Sequence, residues 1–326
     1  MIADVSSPLP DDAALARVLS AMLAEQGHDG GNVSVIDRQP SIQGTFPKEV
    51  VTCRIEGVGE RQLFCKYEAG VEHNAHGHRG GVCYESLVYR YLLGSQQLVR
   101  PRLVGTHRDR RTDSTWLVLE YLDDCDRVKK SKDPEAMVLA ARWIGKFHAR
   151  NQHRTSSPEA CFLSRFGRDY LVGWARRAVY WNSSTSAPAA WLTDLAERFE
   201  ILADCLLESP STIVHGEYYP NNIMYGDGCV YPVDWESAAI SAGEIDVASL
   251  TEGWPDDVAT ECALEYARAR WSEGPPAMYE TRLQIARVYT QLRWLGDDEF
   301  GRYLAPGGWR LEHLRALVTA MDRTSD

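Results

Sequence analysis

Residues 213–250 hold the chain's densest set of groups suited to chemistry at phosphate. They run His215-Gly216-Glu217-Tyr218-Tyr219-Pro220-Asn221-Asn222, then Val233-Asp234-Trp235-Glu236, then Gly243-Glu244-Ile245-Asp246. Moving a phosphoryl group requires a carboxylate that orients the acceptor hydroxyl and takes its proton. It also requires oxygen ligands that hold Mg2+ against the phosphates, and a cation that steadies them. Mg2+ takes only one or two oxygen ligands from protein. Glu217 and Asn222 share one loop, marked as such by Gly216 and Pro220. Ile223-Met224-Tyr225 and residues 229–233 read as two strands joined by a Gly226-Asp227-Gly228 turn. A hairpin returns its second strand close to where the first begins, so Asp234 is expected beside Asn222.

This pattern resembles the aminoglycoside phosphotransferase and choline kinase superfamily. The signature of that superfamily is H-G-D-x-x-x-x-N, then a hairpin, then an I-D-W/F-[E] element. The match runs from His215 to Glu236, and Asp246-Val247-Ala248 resembles the later D-L-A. The resemblance implies that Glu217 stands at the catalytic aspartate position and that Asn222 and Asp234 stand at the metal-ligand positions. The departure is the glutamate itself. One extra methylene moves the carboxylate by about a bond length, and a displacement of about 1 Å can cost on the order of a hundredfold in rate. Two readings follow. In one, Glu217 works in a kinase that phosphorylates a small metabolite, sugar or aminoglycoside-like acceptor. In the other, the chain is a nucleotide-binding pseudokinase or regulatory scaffold. His215 is expected to fix the loop by hydrogen bonds, Trp235 to pack in the core, and Asp246 to serve as a cap or a loop tether.

The same resemblance implies a strand lysine for the nucleotide phosphates, paired with a helix glutamate. Lys66, in Gln62-Leu63-Phe64-Cys65-Lys66-Tyr67, fits the first, and Glu85 fits the second. A lysine in an otherwise apolar strand is costly unless paired. Gly44 and Thr45, between the first two strands, are the candidates for the phosphate-covering loop. Glu120 and Leu122 stand where the family's connector passes the base. ATP or GTP with Mg2+ is the implied cofactor. No G-x-x-x-x-G-K-[ST] occurs, which excludes a P-loop. His73-Asn74-Ala75-His76-Gly77-His78 lacks the spacing of a zinc site and reads as a loop.

The elements that must position these residues change along the chain. A helix is expected over 11–26, where Leu15, Val18, Leu19 and Met22 form an apolar stripe. Strands are expected over 33–36, 50–55, 62–67, 103–104 and 116–119, with a helix over 84–93. Beyond them the chain reads as helical over 134–150, 187–208, 256–271, 279–295 and from 309. Residues 141–148 resemble the family's A-x-x-L-x-x-L-H helix. The expected fold is therefore α+β and protein-kinase-like in two lobes, with a small antiparallel-sheet N-lobe and a larger, mostly helical C-lobe. The expected domains are 1–122, binding nucleotide, and 123–326, carrying the catalytic loop and acceptor site.

Composition narrows the partners. The 326 residues carry a formal charge of −11, which argues against nucleic acid. A small-molecule acceptor is expected, and a cationic one would be compatible with this charge. No apolar run approaches a membrane span, and residues 1–10 do not read as a signal peptide, so a cytoplasmic location is expected. The eight cysteines form no C-x-x-C pair and read as reduced thiols. Oligomeric state has no signature.

Overall fold

The structure, a computed structural model, describes residues 9–27, 32–41, 46–68, 76–94, 96–110, 113–183, 189–297 and 308–323. The chain divides into two compact units. Residues 1–74, 79–125 and 231–236 make the first, and residues 75–78, 126–230 and 237–326 make the second.

In the first unit, helix α1 (Asp12–Glu25) begins where the Ala14 amide donates to the Asp11 carboxylate at 2.7 Å. Five strands follow: β1 (Val33–Ser41), β2 (Lys48–Ile55), β3 (Gly59–Tyr67) and, after helix α2 (Gly81–Leu87), β4 (Leu103–Asp109) and β5 (Ser114–Glu120). They form one antiparallel sheet in the order β1-β2-β3-β5-β4. Side chains alternate across a strand. Leu63, Cys65 and Tyr67 of β3 therefore join Leu15, Leu19 and Met22 of α1 in one core. Each such fully buried leucine contributes about 1.5–3 kcal/mol. Lys66, between two of these core residues, faces away from α1. Helix α2 packs on β5 and runs on into a wider π-type turn over Val88–Leu93.

The second unit is mostly helical. It begins with the two-residue strand β6 (Asp126–Arg127) and the short helix α3 (Val128–Ser131). Helix α4 (Pro134–Asn151) has proline at its start and the Asp133 carboxylate capping the Glu135 amide at 2.9 Å. Then come β7 (Ser164–Arg165), α5 (Arg168–Ser183), α6 (Trp191–Leu207), β8 (Ser211–Val214), β9 (Ile223–Gly226), β10 (Cys229–Pro232), whose last two residues belong to the first unit, and β11 (Ala239–Ala242). Helices α7 (Glu244–Thr251), α8 (Asp256–Arg270), α9 (Tyr279–Gly296) and α10 (Trp309–Arg323) complete it. The short strands form two small sheets, β10-β9-β6 and β7-β11-β8. Helix α4 packs on α8, and α5 on α9. Helix α5 has no counterpart in the sequence reading, because Gly173 and the Arg176-Arg177 pair interrupt its apolar period.

The loop after β8 is held from below by α7. Both oxygens of the buried Asp246 carboxylate accept loop amides, from His215 at 2.7 Å and from Gly216 at 3.0 Å. Asp246 is thus a loop tether rather than a helix cap. His148 of α4 lies 3.1 Å from the same carboxylate through Nε2 and 2.9 Å from the Tyr266 hydroxyl through Nδ1. Burial pulls the His148 pKa below the ordinary value, against the pull of Asp246, so the ring is neutral near pH 7. Gly216 has a φ of +83°, and a Cβ there would collide with the Ser237 carbonyl. Only glycine suits that turn.

Candidate functional site

Two polar clusters, one in each unit, gather most of the residues singled out by the sequence. In the first unit, Lys66 Nζ donates to Glu85 Oε2 at 2.7 Å and to Asp234 Oδ1 at 2.6 Å. The lysine is 7 % exposed and the glutamate 2 %, so each needs the other to be tolerable there. Glu85 Oε1 also accepts the Trp235 amide at 3.2 Å, which ties α2 to the segment bearing Asp234. The Phe46 ring lies 5.4 Å from the ammonium. Burial alone would lower the Lys66 pKa, but Asp234, Glu85 and Glu236 outweigh it and hold the ammonium charged well above its ordinary range.

Asp234 sits in the left-handed region, at φ 68°, which costs a non-glycine residue free energy and persists only where the surroundings fix it. Trp235, fully buried, helps fix it by donating Nε1 to the Pro232 carbonyl at 3.2 Å. Glu236 lies 3.7 Å from Arg79, and its carbonyl accepts the Gly80 amide at 2.8 Å. Lys66 and Arg79 thus face the three carboxylates Glu85, Asp234 and Glu236.

In the second unit the loop residues brace one another. The Glu217 carbonyl accepts the Tyr219 amide at 2.7 Å and Asn222 Nδ2 at 3.0 Å. The Asn222 amide nitrogen is thereby engaged within the loop, and its oxygen is the atom that a hard cation would use. The Glu217 amide contacts His215 Nδ1 at 3.3 Å, so His215 does brace the loop. The Glu217 carboxylate is 5 % exposed in residue terms and strongly engaged. Arg293 Nη2 of α9 donates to its Oε1 at 2.5 Å, and His78 Nε2 lies 3.2 Å from the same oxygen. Arg293 Nη1 donates to the Tyr219 hydroxyl at 3.1 Å, and its guanidinium lies 4.9 Å from the Trp294 ring. Burial would lower the Arg293 pKa, but Tyr219 and Glu217 more than offset it.

Neither Arg293 nor His78 carries a motif. A faint signal exists for the first: an arginine set among Leu292, Trp294 and Leu295 is a charge inside an apolar stripe. His76 and His78 belong to the histidine-bearing loop, whose residues 73–75 lie outside the described residues. Among the described residues no group of three His, Cys, Asp or Glu side chains is arranged to hold a metal.

Gly44 and Thr45 also lie outside the described residues. The Glu120 carboxylate accepts the Arg102 amide at 2.8 Å, and its own amide donates to the Arg102 carbonyl at 3.0 Å. Leu122 is half-buried, just past the end of β5. A cavity of about 810 Å3 in the first unit is lined by Leu23, Ile55, Val104, Glu120 and Tyr121 among others, and by none of Lys66, Glu85 or Asp234. None of the eight cysteines is in a disulfide, and only Cys53, Cys65 and Cys262 are buried.

No curated protein matches the chain in sequence. The fold has many solved counterparts. A choline kinase from Cryptosporidium parvum aligns at a TM-score of 0.64 with 10% identity, over 97% of this chain and 97% of that one. A macrolide 2'-phosphotransferase from Brachybacterium faecium aligns at 0.58 with 16% identity, over 88% and 97%. A choline kinase from Streptococcus pneumoniae, solved in complex with AMP, aligns at 0.57 with 12% identity, over 95% and 98%. At these identities the likeness establishes the fold: α+β, protein-kinase-like, with an antiparallel-sheet unit and a larger helical one. The sequence model of one family, the phosphotransferase enzyme family, matches residues 88–281. That span exceeds half of the chain and takes in the Glu217 loop and Asp234, and the chain belongs to the phosphotransferase enzyme family.

Proposed function

We propose that the chain is a small-molecule kinase. It transfers the γ-phosphoryl group of a Mg-nucleotide, ATP or GTP, to a hydroxyl of a small metabolite, sugar or aminoglycoside-like acceptor. The observation that carries this reading is Lys66, a buried ammonium held at 2.6–2.7 Å by both Asp234 and Glu85. A lysine facing several carboxylates suits a site that will receive a polyanion together with a divalent cation.

In this reading residues 1–122 bind nucleotide and 123–326 carry the catalytic loop and acceptor site. Lys66 contacts the nucleotide phosphates, Glu85 fixes the lysine, and the backbone at Glu120 and Leu122 meets the base. Gly44 and Thr45 cover the phosphates. Asn222 and Asp234 hold Mg2+, which when bound neutralises phosphate charge. Glu217 orients the acceptor hydroxyl and takes its proton. The acceptor oxygen bonds to the γ-phosphorus as the bond from that phosphorus to the β-bridging oxygen breaks. The products are a phosphate ester and a nucleoside diphosphate. Family membership and the AMP bound to one fold neighbour support nucleotide use.

Acceptor identity follows from neither fold nor family. Glu252 is poorly placed to greet a cationic acceptor, since Gln291, Trp294 and Arg310 already donate to its carboxylate. Asp256 and Asp257 are exposed at the start of α8. A nucleotide-dependent reaction of this kind suits the cytoplasm. Among the described residues no helix is long and apolar enough to cross a membrane.

The alternative is a nucleotide-binding pseudokinase or regulatory scaffold, in which the Arg293–Glu217 ion pair braces the loop without chemistry. Phosphate transfer from MgATP or MgGTP to any hydroxyl acceptor, lost in Glu217→Gln, supports the kinase. Nucleotide binding without transfer across a broad acceptor panel supports the alternative.

A further inference from the structure

We infer that His78 and Arg293 are positioning residues for Glu217, and that this clamp is built for a glutamate and would fail an aspartate. The inference rests on the kinase reading above and deepens it at the carboxylate.

The geometry starts from Glu217 Oε1, which receives Arg293 Nη2 at 2.5 Å and has His78 Nε2 at 3.2 Å. Both partners are themselves fixed. Arg293 and His78 are each 2 % exposed. The guanidinium is held by the Tyr219 hydroxyl and packed near the rings of Trp174, Tyr219 and Trp294. The imidazole stacks on Phe166 and has the Tyr170 hydroxyl at 2.5 Å from Nδ1. Burial raises the Tyr170 pKa, so the phenol keeps its proton. The tautomer that satisfies both contacts then has Tyr170 donating to Nδ1 and the Nε2–H of His78 donating to Glu217.

The chain arranges this deliberately. His76 at φ 52° and Gly77 at φ 69° turn the backbone immediately before His78, and the His76 ring stacks on Tyr170 and meets Trp174 edge-on. Helix α5 is thus the platform on which the 76–78 segment rests. A carboxylate held by two immobile donors keeps one orientation, which is what a hydroxyl-orienting group requires. An aspartate on the same backbone ends about one carbon–carbon bond short, roughly 1.5 Å. That takes it out of hydrogen-bond range of both donors. The glutamate, a departure from the family pattern, is matched by partners at its own reach.

The test uses the full chain and phosphate release from MgATP with water as acceptor, alongside thermal unfolding with and without MgATP. Glu217→Asp, which restores the family's residue, is expected to lower kcat at least tenfold with the KM for MgATP unchanged within about twofold. His78→Gln keeps a donor near the Nε2 position and is expected to retain more of kcat than His78→Asn, whose amide mimics Nδ1. A merely structural histidine would not produce that order. Should Glu217→Asp fail to fold, the His78 pair decides, because it leaves Arg293 on Glu217. Equal or faster turnover by Glu217→Asp, or His78→Asn matching His78→Gln, in protein that MgATP stabilises, overturns the clamp and leaves the kinase reading standing. Native protein that is neither stabilised by MgATP nor releases phosphate overturns both.

Discussion

The Lys66 cluster and the Glu217 cluster are built on opposite imbalances. Around Lys66, one buried ammonium meets several carboxylates, Glu85, Asp234 and Glu236. Around Glu217, one carboxylate oxygen meets two donors, Arg293 and His78. In the proposed kinase, the first arrangement receives a cation with its polyanion. The second holds a single carboxylate in one orientation. The difference teaches that buried charge in this chain serves two purposes, and that the ratio of donors to carboxylates distinguishes them.

The largest expected effect separates the clusters by activity. Glu217→Gln is expected to lower phosphate transfer by about 10²–10⁴-fold, the usual contribution of a positioned acid or base, while MgATP stabilisation persists. Steady-state kinetics with thermal unfolding checks both halves, and turnover within threefold of native would remove Glu217 from the chemistry.

Next come the two cations. Lys66→Met leaves Glu85 buried without its lysine, and Arg293→Met leaves Glu217 without its arginine. Each is expected to cost about 3–5 kcal/mol of stability, the usual penalty for breaking a buried pair. Only Lys66→Met should also abolish stabilisation by MgATP. Denaturant melts with and without nucleotide read both quantities, and loss of nucleotide response in Arg293→Met would contradict the separate roles of the two clusters.

A smaller effect is expected at the loop's turn. Gly216→Ala places a Cβ against the Ser237 carbonyl at a φ of +83°, a strain of about 1–3 kcal/mol. It should lower stability and kcat while sparing the Lys66 cluster, as measured by MgATP affinity.

The smallest is a pH effect. His148 and His76, both in the second unit, have pKa values lowered from 6.5, chiefly by burial. A depressed folded pKa means the unfolded chain binds more protons, so stability rises with pH. That contribution is fully present above pH 6.5 and is lost as pH falls through the lower folded values. Thermal unfolding between pH 7.5 and about 5 should show the decline, and His148→Gln should flatten it. An undiminished slope in that variant would place the titration elsewhere.

Much of the fold and part of the site are legible in the sequence, for identifiable reasons. Strand alternation in Leu63-Phe64-Cys65-Lys66-Tyr67 puts Lys66 on the face opposite the α1 core, and the cost of a buried ammonium calls for a carboxylate such as Glu85. The glycine of the His215 loop is legible because its turn admits nothing else. Helix α5 is not legible, since its residues Tyr170 and Trp174 serve as a platform for the 76–78 segment and not as part of an even apolar stripe. Arg293 and His78 are illegible as partners of Glu217 because they lie 76 and 139 residues away in sequence. Only tertiary packing brings them together.

The most direct test of the central claim is thermal unfolding of native protein and Asp234→Ala, each with and without MgATP or MgGTP. A ligand at about a hundred times its Kd adds about 2.7 kcal/mol. The account predicts a Mg-dependent rise of several degrees in native protein and none in Asp234→Ala. No shift with either nucleotide in well-folded native protein, or an undiminished shift in Asp234→Ala, would contradict it.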